Sequence, residues 1–465
     1  MSRKQLQFRG QLYPFQQDVV DWSGVIDQGI IGLEMGLGKT VVMLSILCLK
    51  NYGRIIIVLP LQIVEQWKNS ILKFTNLTER NIAIYQGPRR KFLKLQNHRV
   101  VLTTYDVVRR DMLNKESVLY NTRNLFDCIV LDEAHKIRNR KTISYSTCAD
   151  LASKIEAKWL LTGTTIHNKF SDFFTLCQFL NVPETTMTTF ADDKKAIAWK
   201  KMRYYRLTKT QCGLDLPEKS VTEHFLKFDD THAEEYQSLC DEIKELYNDY
   251  MAHPMQLQFT SLLTKILRLR QCCNHMDAHL SEEQYRLKKN RHDGVSSVKF
   301  DKIIEIIEQT PKNEKILIFS QWTHSLHLLT KQLNRFSIQY LTYDGSMEIG
   351  EKNRTLQEFR DGNDKVLLLT MTSGGVGLDL SFANHVILMD SWWNLALEEQ
   401  AINRVYRIGQ TRKVEVHRLY ISESIEHWMI VMKIEKQAVS VKSDEEHSIY
   451  LVNQMLLGQI LHQYV

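Results

Sequence analysis

One pattern, occurring twice, constrains the fold more than any other feature of this chain. Short apolar runs rich in β-branched residues alternate with helical stretches. The first half carries "IIIVLP" (55–60), "RVVLTTY" (99–105), "CIVLDEA" (128–134) and "KWLLTGT" (158–164). The second half carries "KILIFSQ" (315–321), "KVLLLTM" (365–371), "HVILMDS" (385–391) and "VEVHRLY" (414–420). Runs that are apolar at successive positions offer water no polar face, so they belong in sheets covered on both sides. Helical connections of roughly 15–30 residues make such sheets parallel. The expected fold is α/β, with two doubly wound parallel-sheet lobes.

The expected boundaries are 1–195 for the first lobe, 295–440 for the second and 441–465 for a C-terminal tail. Residues 196–294 are read as a helical middle. No comparable strand series is apparent there, and "HAEEYQSLCDEIKELYNDYM" and "SLLTKILRLRQCC" have apolar residues at helical spacing. "SEEQYRLKKNRHDG" (281–294) reads as a charged loop, and "ESIEHWMIVMKIEKQAVSV" (423–441) as an amphipathic helix braced on the second lobe.

Of 465 residues, 43% are hydrophobic and 25% charged, which excludes a disordered or fibrous chain. The net charge of +6 permits a polyanionic partner without requiring one. Eight cysteines form no C-x-x-C pair, so neither a disulfide framework nor structural zinc of the ribbon or RING type is expected. Cys272, Cys273 and His275 are read as core residues. The N-terminus lacks an apolar signal region and no long apolar run follows it, so neither secretion nor membrane spanning is expected.

Two motifs carry chemistry in the first half. "LEMGLGKT" (33–40) runs into the apolar helix "VVMLSILCL". Gly36 and Gly38 let backbone N–H groups turn inward to a phosphate, Lys39 reaches the β- and γ-phosphates, and the Thr40 hydroxyl serves Mg²⁺. The nucleotide-contacting stretch is Leu33, Glu34, Met35, Gly36, Leu37, Gly38, Lys39 and Thr40; the strict consensus has Gly where Leu33 stands. "CIVLDEAH" then ends a buried strand in Asp132 and Glu133, carboxylates placed at the strand edge where open α/β sheets bind ligands. Asp132 is assigned to Mg²⁺, and Glu133 to orienting and deprotonating the attacking water. Together they mark an ATP-binding, ATP-hydrolysing lobe.

These pieces, in order, resemble the Swi/Snf-type ATPases of helicase superfamily 2, in the DEAH-box variant. "LYPFQQDVVDW" (12–22) is similar to the family's adenine-side motif, with Gln16 as its glutamine. "VLPLQIVEQWKNSILKF" (58–74) and "VLTTYDVV" (101–108) resemble its two DNA-facing motifs. "LTGTTIHN" (161–168) resembles its coupling motif, with departures at Thr165 and His167. "ILIFSQW" (316–322), "YDGSM" (343–347), "TSGGVGLDLSFANHVILMDSWWN" (372–394) and "QAINRVYRIGQ" (400–410) complete the set. The compact length is similar to that of the baculovirus global transactivators.

The resemblance implies RecA-like lobes, ATP and Mg²⁺ as cofactors, double-stranded DNA as partner, and a nuclear location. It implies a translocase that remodels or displaces DNA-bound protein in transcription regulation. A strand-separating helicase and a DNA-bound transcription adaptor with a decayed ATPase remain open alternatives. Gln400, Arg404 and Arg407 are then expected on one helix face, ended by Gly409 and presented to the nucleotide of the first lobe. DNA contacts are expected from Thr103, Thr104, Gln321, Thr372, Ser373 and Gly374. Trp393 either packs on nucleic acid or lies in the core. The basic clusters 89–94, 136–141 and 286–292 either extend the footprint or are ordinary solvated faces.

Overall fold

Continuous apolar runs become fully buried strands. The structure is a computed structural model and describes residues 5–163, 170–182, 203–214, 216–252, 256–281, 284–285, 296–374, 378–392 and 395–431. The chain divides into two units between residues 215 and 216.

The first unit contains β1 (Gln28–Leu33), β2 (Ile55–Leu59), β3 (Ile82–Tyr85), β4 (Val100–Thr104), β5 (Cys128–Leu131), β6 (Ala157–Leu161) and β7 (Tyr204–Leu207). Their order in the sheet is β3-β4-β2-β5-β6-β1-β7, with every pairing parallel. Every residue of β2, β4, β5 and β6 is buried. On one face Ile56, Val101, Ile129 and Leu131 pack with Val108 and Met112 of the helix Tyr105–Leu113, and with Leu151 and Leu176.

The second unit contains β8 (Lys219–Leu226), β9 (Ile316–Ser320), β10 (Tyr340–Tyr343), β11 (Val366–Thr370), β12 (His385–Leu388) and β13 (Val414–Ile421). The order is β10-β11-β9-β12-β13-β8, again parallel throughout. Phe300, Ile303 and Ile307 of the helix Val298–Gln309 cover Ile318, Ile387 and Leu419.

Five strands escaped the sequence reading, each for a physical reason. β1 is interrupted by two glycines, yet both are required by close neighbours: a Cβ at Gly29 would lie 2.9 Å from Trp22, and one at Gly32 2.6 Å from Tyr204. β3, β7 and β10 are four residues long and, unlike the four-residue β5 and β12, none is buried at every position. β8 is an edge strand in which polar and apolar residues mix, with Val221 and Phe225 half exposed. β7 and β8 both correct the reading of 196–294 as free of strands, since each completes one sheet. The helices Asp230–Ala252 and Gln256–Cys272 do form where the periodicity predicts. Tyr236, Leu239, Leu262 and Leu269 cluster with Ile421 and Ile425, so this pair belongs to the second unit's core.

Cys272, Cys273 and His275 are buried there, as the sequence reading placed them. All eight cysteines are free, and seven are buried. The chain is helical over 425–431, with Ile425 and Met429 buried. The rest of the expected C-terminal helix lies outside the described residues, as does most of the loop 281–294.

A buried cation organises this unit. Lys299 Nζ donates to Glu426 Oε1 at 2.7 Å, Met389 O at 2.8 Å and Asn274 Oδ1 at 3.0 Å. It joins the end of a helix, the end of β12 and the segment after β13. Glu426 Oε2 also accepts from the Ile421 N–H at 2.9 Å. Breaking one partner of such a pair leaves a charge without compensation. Lys299→Met is therefore expected to lower stability by about 3–5 kcal/mol. Lys299→Met/Glu426→Gln, which keeps an acceptor for Ile421, should recover part of the loss in chemical denaturation.

Candidate active site

β1 delivers the chain to the glycine loop. Leu33, Met35 and Leu37 are buried and anchor it, so the loop presents backbone rather than these side chains. Gly36 and Gly38 have φ of +88° and +80°, the left-handed region a non-glycine residue enters at a cost. The helix Lys39–Lys50 starts at Gly38 without a side-chain cap, so its first N–H groups face the loop's concavity. Gln16 braces this turn from below: its Nε2 donates to Leu37 O at 2.9 Å, and its Oε1 accepts from Tyr13 N at 3.1 Å. A Cβ at Gly38 would lie 2.5 Å from that Nε2. Glu34 is held at the other side, its Oε2 accepting from Lys209 N at 2.7 Å.

Lys39 Nζ donates to Leu33 O at 3.1 Å. A Cβ at Gly163, beyond β6, would lie 2.6 Å from this Nζ, so the loop after β6 reaches Lys39 only because it is glycine there. Thr165 and His167, in the coupling motif, lie outside the described residues.

β5 ends at Leu131 and hands on the two carboxylates, both buried. Asp132 N donates to Val58 O at 2.9 Å, which fixes the turn against β2. Asp132 Oδ2 accepts from Trp67 Nε1 at 2.7 Å, and its Oδ1 from Glu133 N at 2.9 Å. The Tyr105 hydroxyl donates to Asp132 O at 2.7 Å. Glu133 has φ +52°, a conformation costing a non-glycine residue about 1–2 kcal/mol. His135 Nδ1 lies 3.3 Å from Glu133 Oε2. Burial pushes the Asp132 carboxyl up to about 6, and the Glu133 charge adds to the shift; the Trp67 hydrogen bond and the Lys39 charge oppose it.

A capless helix N-terminus lined by glycines fits a polyphosphate. The hydroxyl of Thr40 and the carboxylate of Asp132 are the hard oxygen donors that Mg²⁺ takes. Trp67 was not singled out from sequence, although it stands in a motif quoted there. A buried indole N–H must find an acceptor, and here the acceptor is the Asp132 carboxylate.

The second unit places its candidates differently from expectation. The helix that was to carry Gln400, Arg404 and Arg407 on one face is Leu395–Ile402 and stops before both arginines. The chain tightens there: Arg404 N bonds Ala401 O, Val405 N bonds Ile402 O, and Arg404 O is taken by Leu380 N. Gly409, at φ +99°, therefore closes a later turn rather than this helix. Gln400 and Arg404 are buried; Arg407 is partly exposed, with Nε 3.8 Å from Asp379 Oδ1.

At the C-terminal ends of β9 and β12, Asp390 accepts from Ser320 Oγ, from Asn274 Nδ2 at 3.1 Å and from Gln321 Nε2 at 3.0 Å. Arg270 Nη2 donates to Gln321 Oε1 at 2.8 Å and to Ser391 O at 3.0 Å. Ser373 is buried in the short helix Met371–Gly374. Trp393 and the Thr372 side chain lie outside the described residues. In the first unit, Thr103 is fully buried and its hydroxyl donates to Tyr85 O at 3.0 Å, while Thr104 Oγ1 caps the helix Tyr105–Leu113. Both hydroxyls serve the fold.

An SNF2-related domain matches residues 15–278, and a helicase conserved C-terminal domain matches residues 298–409. The chain belongs to the SNF2-related family. Among curated relatives, a Bacillus subtilis (strain 168) protein, YwqA, whose name describes an ATP-dependent helicase/translocase, is 30% identical over 93% of this chain and 49% of its own length. A protein of Orgyia pseudotsugata multicapsid polyhedrosis virus, named a global transactivator, is 27% identical over 86% of this chain and 84% of its own. The Arabidopsis thaliana ATP-dependent DNA helicase DDM1 is 28% identical over 90% of this chain and 60% of its own. The SNF2-related chain thus spans about half the length of the Bacillus relative. A solved structure of the Sulfolobus solfataricus SWI2/SNF2 ATPase core in complex with dsDNA covers 96% of each chain at 25% identity, with a TM-score of 0.41. Among the described residues, no helix is long and apolar enough to cross a membrane.

Because the Trp67 N–H favours the charged form of Asp132, its removal should raise that carboxyl above about 6. Mg²⁺–nucleotide affinity is expected to fall as pH drops through this value in the parent protein. In Trp67→Phe the fall should begin at higher pH, as read by fluorescent-nucleotide titration across pH.

Proposed function

We propose that this SNF2-related chain is an ATPase that moves along double-stranded DNA and displaces or remodels protein bound there, in the service of transcription. The observation that carries the reading is the buried Asp132–Glu133 pair at the end of β5, in the same lobe as a glycine loop whose Lys39 meets the strand-end glycine of β6. The names of the Bacillus and Arabidopsis relatives add ATP dependence, and that of the Arabidopsis relative adds DNA.

Lys39 and the loop N–H groups neutralise and orient the phosphates. Thr40 and Asp132 hold Mg²⁺, which when bound withdraws charge from the phosphate oxygens. Glu133 takes a proton from water as the water oxygen bonds to the γ-phosphorus and the bridging P–O bond breaks, releasing ADP. His135, 3.3 Å from Glu133 Oε2, steadies that carboxylate. Arg404 and Arg407, supplied by the other lobe, stabilise charge on the transferring phosphoryl, so hydrolysis requires the lobes to close. Gln400 supports them.

Contacts to DNA are assigned to the backbone and side chains near Gln321, Thr372, Ser373, Gly374 and Trp393, where sequence-independent contacts suit a motor. Thr103 and Thr104 are assigned DNA contacts through the backbone, since their side chains bond within the fold. Its proposed compartment is the nucleus, the host nucleus for a viral chain.

Steady-state ATP hydrolysis, measured with no nucleic acid, single-stranded DNA, duplex DNA and duplex RNA, tests the reading. Strong stimulation by duplex DNA is expected. Lys39→Ala and Glu133→Gln should abolish turnover, and Arg407→Ala should lower it about 10³-fold or more without loss of the folded state by circular dichroism. Equal rates in all four conditions overturn the DNA motor, and no turnover at all indicates a decayed ATPase. Release of a labelled strand from a duplex substrate would replace translocation with strand separation.

A further inference from the structure

The opposite ends of the second unit's strands hold a cluster that nucleotide chemistry does not use. His385 is the first residue of β12 and pairs in register with Glu415 of β13; His417 follows two positions on, so both β13 side chains share the face of His385. One ligating atom from each of the three lies within 4.8 Å of the others. His385 Nδ1 is 3.8 Å from Glu415 Oε2.

The hydrogen bonds around the cluster decide where lone pairs are left. Glu314 accepts from His385 Nε2, so in the neutral ring Nδ1 carries the lone pair. His417 Nδ1 is 3.1 Å from His224 Nε2 on β8; when Nδ1 donates, Nε2 of His417 is left with the lone pair. His385 Nδ1 and His417 Nε2 are both buried and make no hydrogen bond. A buried acceptor nitrogen without a partner costs free energy. The rings of His385 and His417 lie parallel, 2° apart in plane.

We propose that His385 Nδ1, His417 Nε2 and a Glu415 carboxylate oxygen form a binding site for a zinc-class divalent cation. Two imidazoles and one carboxylate, with a water in the fourth position, are a recurrent zinc set. Ligand atoms around tetrahedral zinc stand about 3.4 Å apart, so a set within 4.8 Å of one another needs to draw in by at most about 1.4 Å. Glu314 behind His385 is the carboxylate that typically orients a ligating imidazole, and His224 plays the same part for His417. Gln321 and Asp390 stand at the other strand ends. The cation therefore braces β12 against β13 and does not touch nucleotide.

The test uses tag-free full-length protein stripped of metal and titrated with Co²⁺ without nucleotide, in an Asp132→Asn background that removes the oxygen-donor site of the first lobe. One equivalent should bring up the intense visible absorption of four-coordinate Co²⁺, Zn²⁺ should abolish it, and Zn²⁺ should raise the melting temperature. Glu415→Gln, at a partly exposed position, should weaken binding at least tenfold, and Glu415→Gln/His417→Gln should remove the band. Glu314→Gln should weaken binding about 10–100-fold. Failure of the band to appear, or its survival in the folded double variant, overturns the site.

Discussion

Parallel pairing governs everything else in this molecule. Each strand of both sheets lies parallel to its neighbours, so each must return through a crossover and each sheet must be covered on both faces. That requirement explains why β2, β4, β5, β6, β9 and β11 are buried at every residue. It also collects all strand C-termini at one edge of each sheet. In the first unit that edge carries the glycine loop, Asp132, Glu133 and Gly163. In the second it carries Gln321, Ser373 and Asp390, while the histidine cluster marks the reverse edge. Two chemistries are separated by the length of a strand.

Charges buried at these edges come with partners. Asp390 collects four donors from three residues, Lys299 donates to three acceptors, and Asn274 touches both groups: its Oδ1 accepts from Lys299 and its Nδ2 donates to Asp390. Arg270, from the helix Gln256–Cys272, reaches Gln321 and lies 5.4 Å from the Trp322 ring centre. Such networks contribute less to net stability than apolar packing of the same volume, but they tolerate few alternative arrangements. The helical pair of residues 230–272 is thereby fastened to the same strand ends that carry Gln321, through polar as well as apolar contacts.

The central strands were legible in the sequence because complete burial writes itself as an unbroken apolar run. The phosphate loop and the acidic pair were legible because their spacing follows from backbone geometry. The edge strand β8 was not, since none of its residues is buried, and neither was the interior strand β1, which yields side-chain volume to Trp22 and Tyr204 by using glycine. Trp67 escaped because its partner lies 65 residues away, a pairing that spacing does not encode. The end of the helix Leu395–Ile402 escaped for a similar reason. Just beyond it Arg404 N turns to Ala401 O, and Arg404 O accepts from Leu380 N, a residue remote in sequence.

β8 has one sheet neighbour, β13, with Lys219 opposite Val414. A ribosome emitting this chain therefore releases β8 about 200 residues before its mate, an interval of roughly 10–40 s at ordinary elongation rates. Throughout that interval a strand with Val221 and Phe225 on its surface has no native edge to join. Lys219, Glu223 and the polar residues interleaved along it are the kind of composition that discourages pairing with a stranger. The mixed pattern that hid this strand from a sequence reading is thus also what lets it wait.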